Sequence, residues 1–241
     1  MSAVPPRLPI VDALRGFAVA QMVVYHFIYD LAHFGWLKLA MTRDQPWVAW
    51  RTLIVSQFLL LVGVSLVLRQ ARRPGPREFW LRWAQVAGAA ALVSAGSWLM
   101  FGPRLIYFGI LHFIAAALLV ARLAVPLREW NLALAAAGLA AWLLYRDPAL
   151  NATPWNIAGF VTMKPRTEDY VPLFPWLAVV LAGLGLGALW QRRGFVLAPP
   201  WQRLNAQPPG LLVLAGTWAL TVYLAHQPIM IGLLWLFSSL G

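Results

Sequence analysis

The residues best suited to chemistry lie along one face of the first long apolar segment, near residues 10–34. Ionisable side chains are expensive inside a membrane span, and by default they mark a functional site. This segment carries five ionisable residues, which are Asp12, Arg15, His26, Asp30 and His33. At about 100° per residue, all five fall within an arc of roughly 60° on one helix face. A polar stripe this narrow must face a bundle interior or a wet cavity.

His26 and Asp30 stand one helical turn apart within this polar stripe. A carboxylate at position i+4 can orient an imidazole and stabilise its charged form, which general-base chemistry requires. We therefore predict that His26 acts as a base and that Asp30 orients it. The chain has no cysteine, and no pair of its histidines has the spacing of a known zinc motif. No metal is expected.

The remaining histidines lie on later apolar segments, where His226 is followed by Gln227 and Pro228. Counting about 1.5 Å per residue places His112 close to the depth of His26, and His226 near mid-membrane. A single histidine in a helix bundle often serves only as an interhelical hydrogen-bonding group. A structural and a functional role therefore both stay open for His112 and for the polar-core pair of His226 and Gln227.

The elements that must position these residues are long apolar helices. Of the 241 residues, 61% are hydrophobic and 11% are charged, and mean hydropathy is +0.68. About 20 apolar residues cross a bilayer as a helix, and runs without alternation exclude a barrel. The sequence predicts an all-α, polytopic transmembrane helix bundle of about seven spans, forming a single domain over residues 1–241. The spans lie near 10–34, 47–68, 79–101, 105–125, 127–145, 173–190 and 211–237.

The net charge of +11 has a topological explanation that does not involve nucleic acid. With seven spans, twelve of the 19 basic residues fall on the side of the N-terminus and seven on the other. The positive-inside rule then predicts a cytoplasmic N-terminus and a periplasmic C-terminus in a bacterial inner membrane. Spans three and four have a very short connection and should be antiparallel neighbours. The loop near 146–172 is either a lid over a polar acceptor or an interfacial surface loop.

Three blocks of the chain resemble a known family. The opening residues 7–18, followed by His26 and Asp30, are similar to the start of the heparan-alpha-glucosaminide N-acetyltransferase catalytic domain family. Residues 107–115, around His112, resemble its second block, and residues 220–228, around His226, resemble the block near its end. The opening Asp-x-Leu-Arg-Gly pattern is also shared with membrane acyltransferases that modify surface polysaccharides.

This resemblance implies an acyltransferase. The donor would be acetyl-CoA or another acyl-CoA from the cytoplasm, and the acceptor an amine or hydroxyl of a glycan or amino sugar on the outer side. The family's catalytic histidine, in or just after the first span, corresponds here to His26 or His33. Acyl transfer also needs a donor for the oxyanion, for which His112 and Tyr107 are candidates.

Arginine suits the phosphate groups of CoA through its planar fork. We expect Arg15, near the cytoplasmic mouth, to bind them with Arg69 and Arg73. The alternative for Arg15 is an ion pair with Asp12 that holds the start of the helix. Asp12 and Tyr107 complete the candidate cofactor site.

Two other functions remain as alternatives. The first is a small proton-coupled transporter or lipid flippase, since histidines and acids facing a cavity also suit a proton relay. It is disfavoured because we find no inverted repeat of the kind many transporters have. The second is a structural membrane subunit, which would leave the polar stripe without a purpose. The sequence leaves the oligomeric state open, a homodimer included.

Overall fold

A computed structural model of the chain describes residues 7–72 and 75–240. The structure is 78% helical, and the described residues form no strand, which confirms the all-α prediction. These described residues form nine α-helices, numbered in chain order. They are α1 Pro9–His33, α2 Gln45–Ala71, α3 Pro76–Phe101, α4 Ile110–Ala124, α5 Asn131–Leu144, α6 Leu173–Arg192, α7 Pro199–Ala206, α8 Gly210–Thr217 and α9 Ala219–Leu240.

Six helical stretches of the described chain are long and apolar enough to cross a membrane, which supports a multi-pass protein. The sequence predicted about seven spans. The difference arises in the apolar stretch Ile110–Leu144, for which the sequence predicted two spans. The 3-10 turn Val125–Trp130 interrupts it, with Arg128 at φ 50°. The helices on either side, α4 and α5, have 15 and 14 residues, fewer than the roughly 20 that a full crossing needs.

The last span predicted from the sequence, near 211–237, is also divided. Helix α8 ends at Thr217, and α9 begins at Ala219 after the non-helical Trp218. Thus one apolar run supplies two packing elements.

The described residues group into two compact units. One consists of Val62–Val196, and the other of residues 7–61 and 197–240. The boundary falls within α2, which contributes its first part to the second of these units. We call them the central unit and the terminal unit. The single-domain prediction stays a prediction.

Helices α3 and α4 of the central unit confirm the predicted antiparallel neighbours. Ser94 near the end of α3 contacts His112 near the start of α4. At the opposite ends, the guanidinium of Arg122 lies 4.2 Å from the ring centroid of Phe79. Helix α5 packs on α6 in the same unit.

The connection between α5 and α6 is tied to the residues that precede α4. Thr167 Oγ1 donates to Leu105 O at 2.6 Å, and Asp169 Oδ2 accepts from Ile110 N at 2.9 Å. A single β-bridge joins Phe108 and Tyr170. This anchoring is compatible with a lid and with a surface loop, so both interpretations of the connection stay open.

The terminal unit is organised around α1. Pro9 opens the helix, where a missing N–H costs nothing. Gly35, at φ 79°, follows its end, because the left-handed conformation that stops a helix favours glycine. Helices α8 and α9 both pack against α1.

Two glycines allow α1 and α8 to approach closely. A Cβ atom on Gly16 would lie 1.9 Å from Leu212 O, and one on Gly216 would lie 1.8 Å from Asp12 O. Small residues at a membrane helix crossing permit this backbone contact. The close approach therefore depends on glycine in both helices.

Candidate active site

The terminal unit joins two of the four histidines directly. His26 Nδ1 on α1 lies 2.7 Å from His226 Nε2 on α9. The two rings are nearly parallel, at 12°, with centroids 5.0 Å apart. His226 is buried and His26 is half-buried. We call these two residues the histidine pair.

The other nitrogen of His226 faces its own helix. His226 Nδ1 lies 2.6 Å from Tyr223 O and 3.2 Å from Val222 O. Both ring nitrogens of His226 are therefore occupied, one by backbone carbonyls and one by His26. The partner that the structure gives to His26 is thus a histidine 200 residues away in the chain.

Asp30, expected to orient His26, has other neighbours. Its side chain interacts with Gln227 on α9 and with His33. Asp30 is 4% exposed, and within the described chain its Oδ2 atom has no hydrogen-bond partner, nor has Gln227 Oε1. His33 is exposed at the end of α1. The structure therefore brings Asp30, His33 and Gln227 together beside the histidine pair.

The N-terminal end of the polar stripe holds α1 against α8. Arg15 Nη1 donates to Asp12 Oδ1 at 2.8 Å and to Gly216 O at 3.3 Å. Arg7 donates to Asp12 Oδ2 at 3.0 Å and to Thr217 Oγ1 at 3.3 Å. Asp12 and Arg15 thus form the ion pair that was the alternative to a CoA site. Three members of the polar stripe, Arg15, His26 and Asp30, thus contact the C-terminal helices α8 and α9.

A second polar contact of α1 was missed in the sequence. Trp50 Nε1 donates to Gln21 Oε1 at 3.3 Å, and Gln21 Nε2 donates to Gln57 Oε1 at 2.8 Å. Gln21 is uncharged and lies off the polar stripe, so a search for ionisable residues passes over it. These bonds connect α1 to α2 on the side away from the histidine pair.

His112 belongs to the central unit and both of its ring nitrogens are engaged. Gly109 N donates to His112 Nδ1 at 3.3 Å. His112 Nε2 lies 2.9 Å from Ser94 Oγ, whose own proton goes to Ile106 O at 2.6 Å. Because that hydroxyl proton is used, His112 Nε2 must donate to Ser94 Oγ. The ring therefore joins α3 to the start of α4. The sequence analysis missed Ser94, because nothing in the sequence shows that this serine lies next to His112.

Tyr107 lies in the same unit, beside the loop that follows α5. Its neighbours are Thr153 and Asn156, and the Tyr170 hydroxyl donates to Asn156 O at 2.6 Å. Burial raises the pKa of Tyr107 above its usual value. Burial, helped by Tyr107 nearby, raises the pKa of Tyr170 to about 12. Both phenols therefore stay neutral at physiological pH.

Arg69 lines a cleft of about 270 Å³ in the central unit. Arg69 Nε donates to Glu78 Oε1 at 3.2 Å, and Arg122 contributes a second guanidinium to the lining. Arg73, the other arginine expected to bind a cofactor, lies outside the described residues. The cleft therefore offers two cations, one of them already paired with a carboxylate.

No group of three or more histidine, aspartate or glutamate side chains in the described part of the chain could hold a metal ion. The candidate site is instead a pair of imidazoles inside a multi-pass helical membrane protein. This combination of fold and site suits proton transfer.

Comparison with known proteins identifies the family. Residues 7–228 match the model of the family described as "Heparan-alpha-glucosaminide N-acetyltransferase, catalytic". The chain belongs to this family. The resemblance predicted from its three blocks is confirmed, and membership implies a membrane acetyltransferase. No curated protein and no solved structure gives a significant match.

Proposed function

We propose that this chain is an acyl-CoA-dependent transmembrane acetyltransferase of the bacterial inner membrane. It moves an acetyl group from acetyl-CoA on the cytoplasmic side to an amine or hydroxyl of a sugar-containing acceptor on the outer side. The observation that carries the proposal is the hydrogen-bonded pair of His26 and His226 in a chain of an acetyltransferase family.

The pair suits the proton transfers of acyl transfer. The acceptor nitrogen or oxygen forms a bond to the thioester carbonyl carbon while His26 takes its proton. The carbon–sulfur bond then breaks, and the imidazolium returns that proton to the CoA thiolate. His26 ends the cycle neutral, as it began. A route through an acyl-histidine intermediate uses the same residues and the same overall balance.

The CoA phosphates need cations, and we assign this role to the cleft of the central unit lined by Arg69 and Arg122. Arginine binds phosphate oxygens in pairs through its planar fork. Arg15 is engaged with the half-buried Asp12 and with a carbonyl of α8, so we assign these two residues to helix packing. Arg69 is also paired, but its partner Glu78 is exposed, so a phosphate can compete for the guanidinium. Arg69→Gln and Arg122→Gln should each weaken CoA binding more than Arg15→Gln weakens it.

The test is acetyl transfer by the purified protein in proteoliposomes supplied with labelled acetyl-CoA. Glucosamine offers an amine and hydroxyls, whereas N-acetylglucosamine offers hydroxyls only. Product from glucosamine alone indicates N-acetylation, and product from both indicates O-acetylation. Acetyl-CoA should also raise the melting temperature, since a ligand at 100 times its Kd stabilises the folded state by about 2.7 kcal/mol. With neither product nor stabilisation, the acetyltransferase proposal fails and the transporter alternative gains.

The orientation is a separate part of the proposal. Seven spans with a cytoplasmic N-terminus place the C-terminus in the periplasm, whereas six spans return it to the cytoplasm. A reporter that is active only in the periplasm, fused at the C-terminus, distinguishes the two. Reporter activity supports seven crossings, in which the turn at Arg128 reverses the chain between α4 and α5. A stable fusion protein without reporter activity contradicts seven crossings.

A further inference from the structure

We infer that His226 is a positioning residue, which fixes the tautomer of His26 so that its Nε2 atom accepts the proton. The inference rests on the proposed function for its catalytic meaning, but the tautomer itself is a property of the resting protein. It follows from two consecutive hydrogen bonds, the first of which determines the direction of the second.

The first bond sets the protonation of His226. A backbone carbonyl can only accept a hydrogen bond, and a neutral imidazole has one N–H and one lone pair. His226 Nδ1 lies 2.6 Å from Tyr223 O, with Val222 O at 3.2 Å. Nδ1 must therefore carry the proton, which leaves a lone pair on Nε2.

The second bond transfers this choice to His26. His226 Nε2 lies 2.7 Å from His26 Nδ1, a normal distance for a hydrogen bond between ring nitrogens. Since His226 Nε2 has the lone pair, His26 Nδ1 must donate. The near-parallel rings, at 12°, let the lone pair and the N–H point at each other. His26 Nε2 is then the nitrogen with the lone pair.

The carbonyls that hold His226 belong to the preceding turn of its own helix, α9. The His226 ring bonds back to Tyr223 O and Val222 O, three and four residues earlier. A carbonyl oxygen has two lone pairs and can accept from the ring as well as from the helix.

The arrangement also supports the charged form of His26. When His26 Nε2 takes the acceptor's proton, His26 becomes an imidazolium, and its Nδ1–H donates to His226 Nε2 as a charge-assisted bond. Such bonds are shorter and roughly twice as strong as neutral ones. A base held by a third group is the general pattern of acid–base constellations. Here the third group is a neutral histidine held by the backbone, and no net charge needs to be buried at rest.

The tautomers can be read by nitrogen-15 NMR of the histidine-labelled protein in detergent micelles, near neutral pH or above. We expect His26 and His226 both to carry the proton on Nδ1. His112 is an internal control of opposite sign, because Gly109 N donates to its Nδ1 and so its proton must lie on Nε2. The exposed His33 serves as a reference for a solvated ring. A His26 ring protonated on Nε2 while His226 is intact would overturn the inference.

Two substitutions at one position separate positioning from packing. His226→Gln keeps an oxygen that can accept from His26 Nδ1, whereas His226→Leu fills space without an acceptor. We expect His26 to keep its proton on Nδ1 in the Gln variant. In the Leu variant we expect a mixture of the two His26 tautomers. The fall in kcat for acetyl transfer should reach about 10²-fold for Leu, within the 10⁴-fold cost of a wrong tautomer in a serine protease. It should be at least about tenfold smaller for Gln, with KM for acetyl-CoA little changed.

The outcomes separate the two proposals. If the tautomers are as expected but the wild type transfers no acetyl group, the proposed function fails and the positioning of His26 stands. If the wild type is active and the two variants lose kcat equally although both remain folded, His226 does not act through its acceptor atom, and the inference fails.

Discussion

His26 and His112 are both half-buried histidines on apolar helices, and they differ in how many ring nitrogens the fold engages. His112 donates from Nε2 to Ser94 and accepts at Nδ1 from Gly109. His26 has one assigned bond, from Nδ1 to His226. At the first site the ring completes a helix junction. At the second site, the described residues give no bond to His26 Nε2, the nitrogen to which we assign the acceptor's proton. Burial and residue type are alike, so the hydrogen-bond partners distinguish a structural histidine from a candidate base.

The same comparison explains why the two sites should respond differently to substitution. A base acts in the transition state, so its loss lowers kcat and leaves the fold in place. When a ring with both nitrogens engaged is removed, its two partners each lose a hydrogen bond, and the cost falls on stability.

The largest expected effect is that of His26→Ala on acetyl transfer. Positioned proton transfer contributes typically 10²–10⁴-fold, so kcat should fall by that factor or more. Stabilisation by acetyl-CoA should remain, because CoA binding is assigned to the central unit. His33→Ala is the matched control, since His33 is exposed at the end of the same helix, and it should be mild. If His33→Ala is inactive and His26→Ala is active, the base is His33.

Asp30→Asn should have a smaller effect on kcat than His26→Ala. Residues at i and i+4 are about 6 Å apart, and a carboxylate at this distance stabilises an imidazolium by up to about 2–3 kcal/mol at an effective dielectric constant near 20. The expected loss is therefore about ten- to a hundredfold. Steady-state kinetics of both variants decide the order, and a larger loss for Asp30→Asn would make the carboxylate the base.

His112→Ala should lower stability by about 1–2 kcal/mol and change kcat of the folded protein little. Ser94 and Gly109 lose their partner, and the net cost of a lost hydrogen bond is about 1 kcal/mol in water and less in membranes. Thermal unfolding in detergent measures the first effect and active-site-normalised kinetics the second. A loss of kcat comparable to that of His26→Ala would remove the distinction between the two histidines and return His112 to the candidate oxyanion donors.

The smallest effect concerns the loop that anchors the start of α4. Burial raises the pKa of Tyr170 to about 12, whereas an unfolded tyrosine ionises near 10. Between these values the folded state holds the proton more tightly, so its stability is complete below about pH 10 and falls as pH rises towards 12. Tyr170→Phe should flatten this decline relative to the wild type. Unchanged alkaline stability profiles would show that the phenol is not buried as described.

Much of the fold and part of the site could be predicted from the sequence. The apolar runs predicted helices because only a helix or closed barrel satisfies the backbone in hydrocarbon. The angular spacing of Asp12, His26 and Asp30 correctly indicated a face that is packed against protein, since α8 and α9 cover it. The family followed from three short blocks. The sequence also predicted a break between the spans near 105–125 and 127–145, where the structure has the 3-10 turn Val125–Trp130. It did not predict that the helices on either side would have only 15 and 14 residues.

Local periodicity therefore established which residues share a face, and tertiary structure decided which residues meet across it. Asp30 looked like the partner of His26 because a residue at i+4 is the nearest neighbour along an isolated helix. The ring instead bonds His226, 200 positions later, because α1 packs on α9 and Gly16 and Gly216 permit a close approach of α1 and α8. Such a contact depends on helix packing and on the local path of the α9 backbone, neither of which is encoded in the spacing of residues along one segment.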